Sequence, residues 1–208
     1  LGLVRTRGRV FRELLRAFKQ AGLPVAGADR MILREELAVE DLLALARLAL
    51  DPSDDLTLAA VLKGPFIGLL DEDTDLFPLA YGRAPGETLW SRLNAAQEPR
   101  FVAAAAYLDQ VMARRGNAPF GFFAPLLEEA CPMGPSGWRA VQERLGYAAR
   151  DPLEEVLSRA QAGPSRGAPS LPAFLAQIEA DDSPLKREME AAGDAIRIMT
   201  VHGAKGLE

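Results

Sequence analysis

The feature that most constrains the fold is the location of strand-like sequence at the two ends of the chain. Near the C-terminus, Ile196 to Val201 is rich in β-branched residues that alternate with other types, which is typical of a short buried strand. Leu1 to Thr6 and Pro24 to Gly27 are similar short stretches, and an apolar helical face at Val10 to Phe18 lies between them. This order predicts part of a parallel sheet. Because the sheet is completed only at the far end, the intervening chain is predicted to be an insertion.

From Glu36 onward the intervening chain has the periodicity of helices. Glu36 to Leu50 is the strongest candidate, with one apolar stripe that includes Leu50 itself. Either Asp54 or Asp55 can cap the helix that follows. From about Asp71 to Gly193 the pattern is helical but often interrupted. We therefore predict a mainly α protein with a small parallel β-sheet.

Two further boundaries are predicted within the helical part. Gly121 and Pro125 are expected to break the aromatic-rich segment at 120–127, and Asp151 is expected to cap a helix that starts at Pro152. The aromatic side chains fit either core packing or stacking platforms for single-stranded bases. Their helical spacing and the lack of interleaved Lys and Arg favour the core. The same prediction covers the two tryptophans, Trp90 and Trp138.

Polar residues of four kinds gather where the C-terminal strand ends: Thr200, His202, Lys205 and Glu208. Glycines at 203 and 206 bracket Ala204 and Lys205, and glycine lets a backbone approach a ligand closely. Open α/β sheets place their ligand sites at the carboxyl ends of strands. On composition alone, a ligand site and an ordinary β-turn with incidental polar residues are about equally well supported.

The two ends of the chain also carry a resemblance to a known family. The run T-V-H-G-A-K-G-L-E at 200–208 resembles motif V of the superfamily 1A DNA helicases, the UvrD, PcrA and RecB group. Its V-H-G form, after R-E-M-E-x-x-x-D-x-I-R-I-M, is most similar to AddA, the helicase-nuclease subunit of bacterial AddAB. L-V-R-T-R at 3–7 resembles motif IV. The chain as a whole thus resembles the region between these two motifs, and the resemblance is specific at its ends.

The resemblance implies three parts. Residues 1–70 would be the first part of a RecA-like domain 2A, residues 71–193 a helical 2B-type insertion, and residues 194–208 the return to domain 2A. Ala38 and Glu40 stand where the UvrD branch usually has Glu and Lys, which favours the RecB/AddA branch.

The resemblance also implies a function for the parent protein. It would be an ATP-dependent 3′-to-5′ DNA helicase, with ATP and Mg²⁺ as cofactors and a nuclease elsewhere in the chain, acting in double-strand break repair and recombination. The implied partners are single-stranded and duplex DNA and the second subunit of an AddAB-type complex, in the bacterial cytoplasm and without a membrane. Since the sequence begins at Leu1 and stops inside a motif, we expect a piece of a longer protein.

Specific roles carry over onto five residues. Arg5 would stabilise charge near the γ-phosphate of ATP, for which a planar guanidinium is well suited. Glu208 would accept a hydrogen bond from a ribose hydroxyl. Thr200 and His202 would donate to a DNA phosphate, and Lys205 is assigned to the DNA side. A solvated arginine at a strand end and a packed core histidine are the structural alternatives for Arg5 and His202.

Several features limit what the piece can do alone. No G-x-x-x-x-G-K-[ST] motif is present, so the isolated chain is expected to be inactive and without a cofactor. Phe66 to Glu72 mimics a Walker B strand, but Pro65 and Gly68 argue against a central strand. The single cysteine, Cys131, excludes an internal disulfide and a multi-cysteine zinc site.

The formal charge of −5 argues against a surface that binds nucleic acid everywhere. No apolar run approaches the ~20 residues needed to span a bilayer. A rival interpretation is a non-catalytic helical module that docks duplex DNA or a second protein of the complex. An exposed apolar patch on the helical part would favour that interpretation.

Overall fold

A computed structural model describes residues 2–4, 14, 17–18, 25–26, 29–70, 75–162, 170–183, 185–187 and 196–200. The chain divides into two compact units. We call them the sheet unit, Leu1–Met31 with Pro184–Glu208, and the helical unit, Ile32–Ser183.

Five short strands belong to the sheet unit: β1 (Gly2–Val4), β2 (Val25–Ala26), β3 (Asp29–Met31), β4 (Leu185–Arg187) and β5 (Ile196–Thr200). β5 lies between β1 and β2 and pairs in parallel with both. β3 and β4 form a separate antiparallel pair. The three strands predicted from the sequence therefore coincide with β1, β2 and β5. Of the predicted helix at 10–18, Leu14, Ala17 and Phe18 are helical and the remainder lies outside the described residues.

The helical unit follows the order of the chain, and most of it is α-helix: α1 (Leu37–Leu50), α2 (Asp55–Lys63), α3 (Leu76–Ala80), α4 (Leu89–Ala95), α5 (Pro99–Ala113), α6 (Pro119–Glu128), α7 (Gly137–Leu145), α8 (Arg150–Ala162) and α9 (Leu171–Ala180). Short 3₁₀ turns at Leu33–Glu35 and Tyr147–Ala149 precede α1 and α8.

Helix α1 is the centre of this unit. It packs against α2, α5, α8 and α9. A helix that is apolar on nearly all sides must be surrounded by other elements, and α1 buries Val39, Leu42, Leu45 and Leu48 completely. An ion pair also joins α1 to α9, because the Arg47 guanidinium lies 2.7 Å from Glu179.

Side-chain caps fix where several helices begin. Asp54 is the cap of α2, since its carboxylate accepts hydrogen bonds from the backbone N–H groups of Leu56 and Thr57 at 3.0 Å. Its neighbour Asp55 instead accepts from the N–H of Leu89 at 2.7 Å, and so ties α2 to the start of α4. Both aspartates are possible caps from the sequence alone, and the structure gives them different roles.

The predicted break at Gly121 and Pro125 is wrong. α6 runs through both residues, with Pro125 inside it. A proline leaves the carbonyl four residues earlier without its helical donor. The side-chain amide of Asn117 donates to that Gly121 carbonyl at 3.3 Å, and Phe122 and Phe123 are buried. Local polar compensation and core burial together keep the helix continuous.

Two other expectations also need correction. α8 begins at Arg150, before Asp151 and Pro152; Pro152 is still within the first turn, where no helical donor is required. Leu50 lies at the end of α1 and is 40 % exposed, outside the apolar stripe.

The aromatic residues divide between core and surface. Phe122, Phe123 and Phe174 are buried and their rings contact one another, as predicted. Trp138 is only half-buried, and its indole N–H donates to Glu128 at 2.9 Å. Since this polar atom has its partner at the surface, Trp138 is an edge residue rather than a core residue.

The predicted domain boundary at residue 70 stays a prediction. Residues 32–70 belong to the compact helical unit, because α1 packs against helices as distant in sequence as α8 and α9. Residues 66–70 form a turn and loop instead of the strand that a Walker B motif needs, and Phe66 is buried. The assignment of the chain to helicase domains 2A and 2B stays a prediction.

Candidate functional site

The first candidate site is the edge of the sheet where β1 and β5 end. Both strands run in the same direction, so their carboxyl ends lie at the same edge. The register pairs Val4, the last residue of β1, with Thr200, the last residue of β5. In sequence, Val4 immediately precedes Arg5. This is the kind of edge at which parallel sheets take ligands.

Of the predicted site residues, only Thr200 belongs to the described part of the chain, and its backbone ends β5. Arg5, His202, Lys205 and Glu208 lie outside the described residues. Their roles toward ATP and DNA therefore stay predictions.

A second candidate lies within the helical unit. It is a cleft of about 470 Å³ between α1, α2, α3 and α7. Its lining is mostly aliphatic, with three charged side chains, Asp41, Lys63 and Arg144. Two leucines at the cleft are exposed, Leu37 at 56 % and Leu56 at 82 %. The cleft thus combines apolar surface with a small number of charges, which is the usual composition of a binding pocket.

Asp41 has the most unusual electrostatic environment of the cleft. Burial raises the pKa of its carboxyl from 3.8 to about 6; the nearby charge of Arg144 opposes this effect and that of Glu40 adds to it. Among the described residues, none donates a hydrogen bond to Asp41 or forms an ion pair with it. Carboxylates taken out of water without a partner shift their pKa in this direction. Asp41 is therefore a poorly solvated acid that faces an open cleft.

Sequence reasoning missed Asp41, although a signal was present. Asp41 lies four residues after Leu37 and four before Leu45, so an apolar row of α1 passes through an aspartate. Its neighbour Glu40 is exposed in the first turn of α1, where a negative charge favours the helix dipole. The two adjacent acids differ only in the face of the helix that they occupy.

A further reactive side chain among the described residues is that of Cys131. It is half-buried, and burial raises the pKa of its thiol. A raised pKa lowers the thiolate fraction, which argues against a role as a nucleophile. Within the described ranges, no group of three or more His, Cys, Asp or Glu side chains is placed to hold a metal ion. No helix of the same ranges is long and apolar enough to cross a membrane.

Comparison with known proteins finds the same kind of relative repeatedly. The chain is similar to a Levilactobacillus brevis protein whose name describes an ATP-dependent helicase/nuclease subunit, with 26 % identity over 229 residues, covering 98 % of this chain and 17 % of the relative. The protein of the same name from Latilactobacillus sakei is 26 % identical over 94 % of this chain and 23 % of its own length. That of Enterococcus faecalis is 25 % identical over 94 % and 16 %. No known family model matches the sequence.

These similarities bear on the whole chain. Between 92 % and 98 % of this chain aligns with each of these helicase/nuclease subunits. The alignments therefore include residues of both the sheet unit and the helical unit. The chain spans only 16–23 % of the length of these relatives. The similarity therefore supports a relationship to a UvrD-like ATP-dependent helicase/nuclease subunit. Any activity of a longer protein that contains this chain is a proposal.

Proposed function

We propose that this chain is the segment of an AddA-type helicase/nuclease subunit that runs from motif IV to motif V. Residues 1–70 and 194–208 would belong to a RecA-like domain 2A, and residues 71–193 would form a helical 2B-type insertion. The observation that carries this proposal is the similarity along nearly the whole chain to proteins named as ATP-dependent helicase/nuclease subunits. The parallel pairing of β1 with β5, which brings together the strands leading into the two motifs, also supports it.

In this proposal the sheet edge supplies one wall of an ATP cleft in the parent protein. Arg5 would donate two parallel hydrogen bonds to the phosphoryl group and so stabilise the charge that develops in the transition state. Glu208 would accept a hydrogen bond from the ribose. ATP with Mg²⁺ would supply the free energy for movement along single-stranded DNA.

The same edge would also hold DNA. Thr200 and His202 would donate hydrogen bonds to a DNA phosphate, and Lys205 would add positive charge, in contacts that position the strand without selecting a sequence. Thr200 and Glu208 lie at the two ends of one short segment. A movement of the nucleotide at Glu208 would therefore change the position of the DNA contact at Thr200. The role of the whole protein would be repair of double-strand breaks, with duplex DNA and the second subunit of an AddAB-type complex for partners.

The proposal is tested by ATP hydrolysis in the full-length protein that contains this chain. We expect Arg5→Ala to lower kcat by about a hundredfold or more, with little change in KM, because the contact strengthens in the transition state. Arg7→Ala, which removes the same charge two residues later, is the matched control and should leave kcat nearly unchanged. Equal losses in both variants would contradict a specific role for Arg5. The isolated chain should not hydrolyse ATP.

The DNA side needs a separate measurement. His202→Ala should weaken binding of single-stranded DNA by about tenfold or less, as expected for one neutral hydrogen bond. It should also reduce the maximal stimulation of ATP hydrolysis by DNA while basal hydrolysis survives. A stimulation curve with an unchanged plateau, merely shifted to higher DNA concentration, would show that coupling runs elsewhere. No change in either quantity would make His202 a packing residue.

A further inference from the structure

The helical unit ends in two acidic residues that arginines from other elements hold in place. Asp181 and Asp182 follow α9 directly. The Asp181 carboxylate accepts a hydrogen bond from the Arg159 guanidinium of α8 at 2.5 Å, and Asp182 accepts one from Arg34 at 2.6 Å. Because Arg34 lies in the 3₁₀ turn at the start of the helical unit, its pair with Asp182 joins the beginning of this unit to its end.

The two ion pairs differ in their exposure to solvent. The side chains of Arg159 and Asp181 are 20 % and 23 % exposed, whereas those of Arg34 and Asp182 are 41 % and 73 % exposed. Asp181 also accepts a hydrogen bond from the backbone N–H of Ser183 at 2.8 Å. Hydrogen bonds from the Ser183 hydroxyl and from Arg159 lower the pKa of Asp181 to about 2, so its carboxylate is ionised at neutral pH. The pair at Asp181 is therefore expected to contribute more than the exposed pair at Asp182.

A short antiparallel ribbon adjoins both ends of the helical unit along the chain. It consists of β3 and β4, which pair through three residues of each strand, with Met31 opposite Leu185. A two-stranded ribbon of this size is marginally stable at best in water. Its strands are about 150 residues apart in sequence, so bringing them together also costs chain entropy. The pairing of β3 with β4 therefore needs a constraint from outside the ribbon.

The two ion pairs are placed to supply this constraint. Arg34 follows the end of β3 by three residues, and Asp182 precedes the start of β4 by three residues. A contact between these two side chains therefore closes the ribbon at its end, as the turn of a hairpin does. The contact of Asp181 with Arg159 fixes the same exit segment on α8.

We propose that the pairs Arg34–Asp182 and Arg159–Asp181 form an electrostatic clasp that holds β3 and β4 together, so that the ribbon separates when the clasp opens. The chain passes between its two units twice, at 31–32 and at 183–184. With the clasp closed, the strands at these two passages are paired; with the clasp open, they are separate. The clasp is a conformational device that responds to salt, because screening weakens ion pairs that solvent can reach. It does not depend on the activity proposed for the parent protein.

The experiment follows amide hydrogen exchange of the 208-residue chain by mass spectrometry. In low salt we expect slow exchange in peptides that cover 29–31 and 185–187. This protection should be lost in about 1 M sodium chloride, where the Debye length is about 3 Å. The amides of α1 should stay protected at both salt concentrations, because this helix is held mainly by apolar burial.

Neutral variants test the two pairs separately. Asp181→Asn should speed exchange in the ribbon by about tenfold, the lower end of the range for a hydrogen bond to a charged group. Arg159 keeps its second partner, Glu155, in this variant, so no cation is left unpaired. Arg34→Gln should speed exchange by about two- to fivefold, because its pair is more exposed.

The matched control is Arg139→Gln. It removes an arginine from a 2.7 Å pair with Glu143 within α7, away from the clasp, and should leave exchange in the ribbon unchanged.

Charge reversal separates the ion pair from other effects of substitution. Arg34→Asp places an acid opposite Asp182 and should open the ribbon. The double variant Arg34→Asp with Asp182→Arg restores a pair of opposite charges and should restore protection at 29–31 and 185–187.

Four outcomes would overturn the proposal. Exchange at 29–31 and 185–187 as fast as in an unpaired chain would show that the clasp does not hold the ribbon. Ribbon exchange that responds neither to salt nor to Asp181→Asn would show the same. Failure of the charge-reversed double variant to regain protection would exclude a direct ion pair as the cause. Loss of protection in α1 together with the ribbon would mean that these arginines support the whole helical unit and do not act as a clasp.

Discussion

The two units are built from different kinds of contact. In the helical unit, helices that are close in sequence pack together, as α1 with α2, α4 with α5 and α6 with α7. In the sheet unit, β5 pairs with β1 and β2 across almost the entire chain, Gly2 opposite Ile198 and Val25 opposite Ile196. Bringing distant segments together costs more chain entropy than joining neighbours. The helical unit is formed by one continuous segment, in which neighbouring helices pack together and α1 also contacts the distant α8 and α9, whereas the sheet unit depends on both ends of the chain.

The largest expected effect comes from breaking the central strand. Ile198→Pro removes a backbone N–H and adds a ring in β5, which has a neighbouring strand on each side. We expect amide protection to be lost at 2–4, 25–26 and 196–200 and to be retained in α1. Hydrogen exchange followed by mass spectrometry measures the amide protection of each unit separately.

Ile198→Val is the control for this prediction, because it keeps the backbone and the β-branched shape. It should preserve protection in both units. Loss of protection in α1 together with the strands in the proline variant would contradict the independence of the helical unit.

The same contrast explains what could be predicted from the sequence. The helical periodicity around Leu42 and Leu58 identified α1 and α2, because the apolar spacing of a helix is a local property. The strand segments were also found locally, and their parallel order came from a general rule of topology. The continuity of α6 could not be predicted, because it depends on an amide from Asn117 that compensates for Pro125.

The candidate sites divide in the same way. The polar residues after β5 stand together in the sequence and so were visible as a cluster. The cleft at Asp41 is assembled from four helices, including α7, about one hundred residues later in the chain. Periodicity along α1 shows that Asp41 lies on an apolar row, but not that Leu145 and Arg144 complete a cleft around it.

A smaller effect is expected from close packing inside the helical unit. Gly137 begins α7 where this helix approaches α6 so closely that an added Cβ would lie 2.1 Å from the carbonyl oxygen of Leu126. We expect Gly137→Ala to lower the free energy of unfolding by about 2–3 kcal/mol, because backbone has to move to admit the methyl group. Chemical denaturation followed by circular dichroism at 222 nm, a conventional helix signal, measures this loss.

Gly116 is the matched control, because nothing lies within 4 Å of a Cβ added there. Gly116→Ala should be nearly neutral or slightly stabilising, by about 0.5 kcal/mol. If both alanine variants behave alike, the close approach of α7 to α6 does not contribute to the stability of the helical unit.

The smallest effect concerns Asp41 and depends on pH. The pKa of its carboxyl is about 6 in the folded chain against an ordinary value of 3.8, so the folded state holds its proton more tightly. The contribution of Asp41 to the free energy of unfolding is therefore greatest below about pH 4 and is lost as pH rises through about 6. Asp41→Asn carries no such charge, and it should be more stable than the parent chain at neutral pH. We expect a gain of about 1 kcal/mol, reduced from the full pKa effect because solvent still reaches the carboxylate.

Urea denaturation of the two chains across this pH range measures the difference, which should grow from near zero in acid to its full value above about pH 6. Glu40→Gln should have the opposite sign, a loss of a few tenths of a kcal/mol, because Glu40 is exposed and favours the dipole of α1. A difference between Asp41→Asn and the parent chain that does not change with pH would show that the carboxylate is solvated like any surface acid.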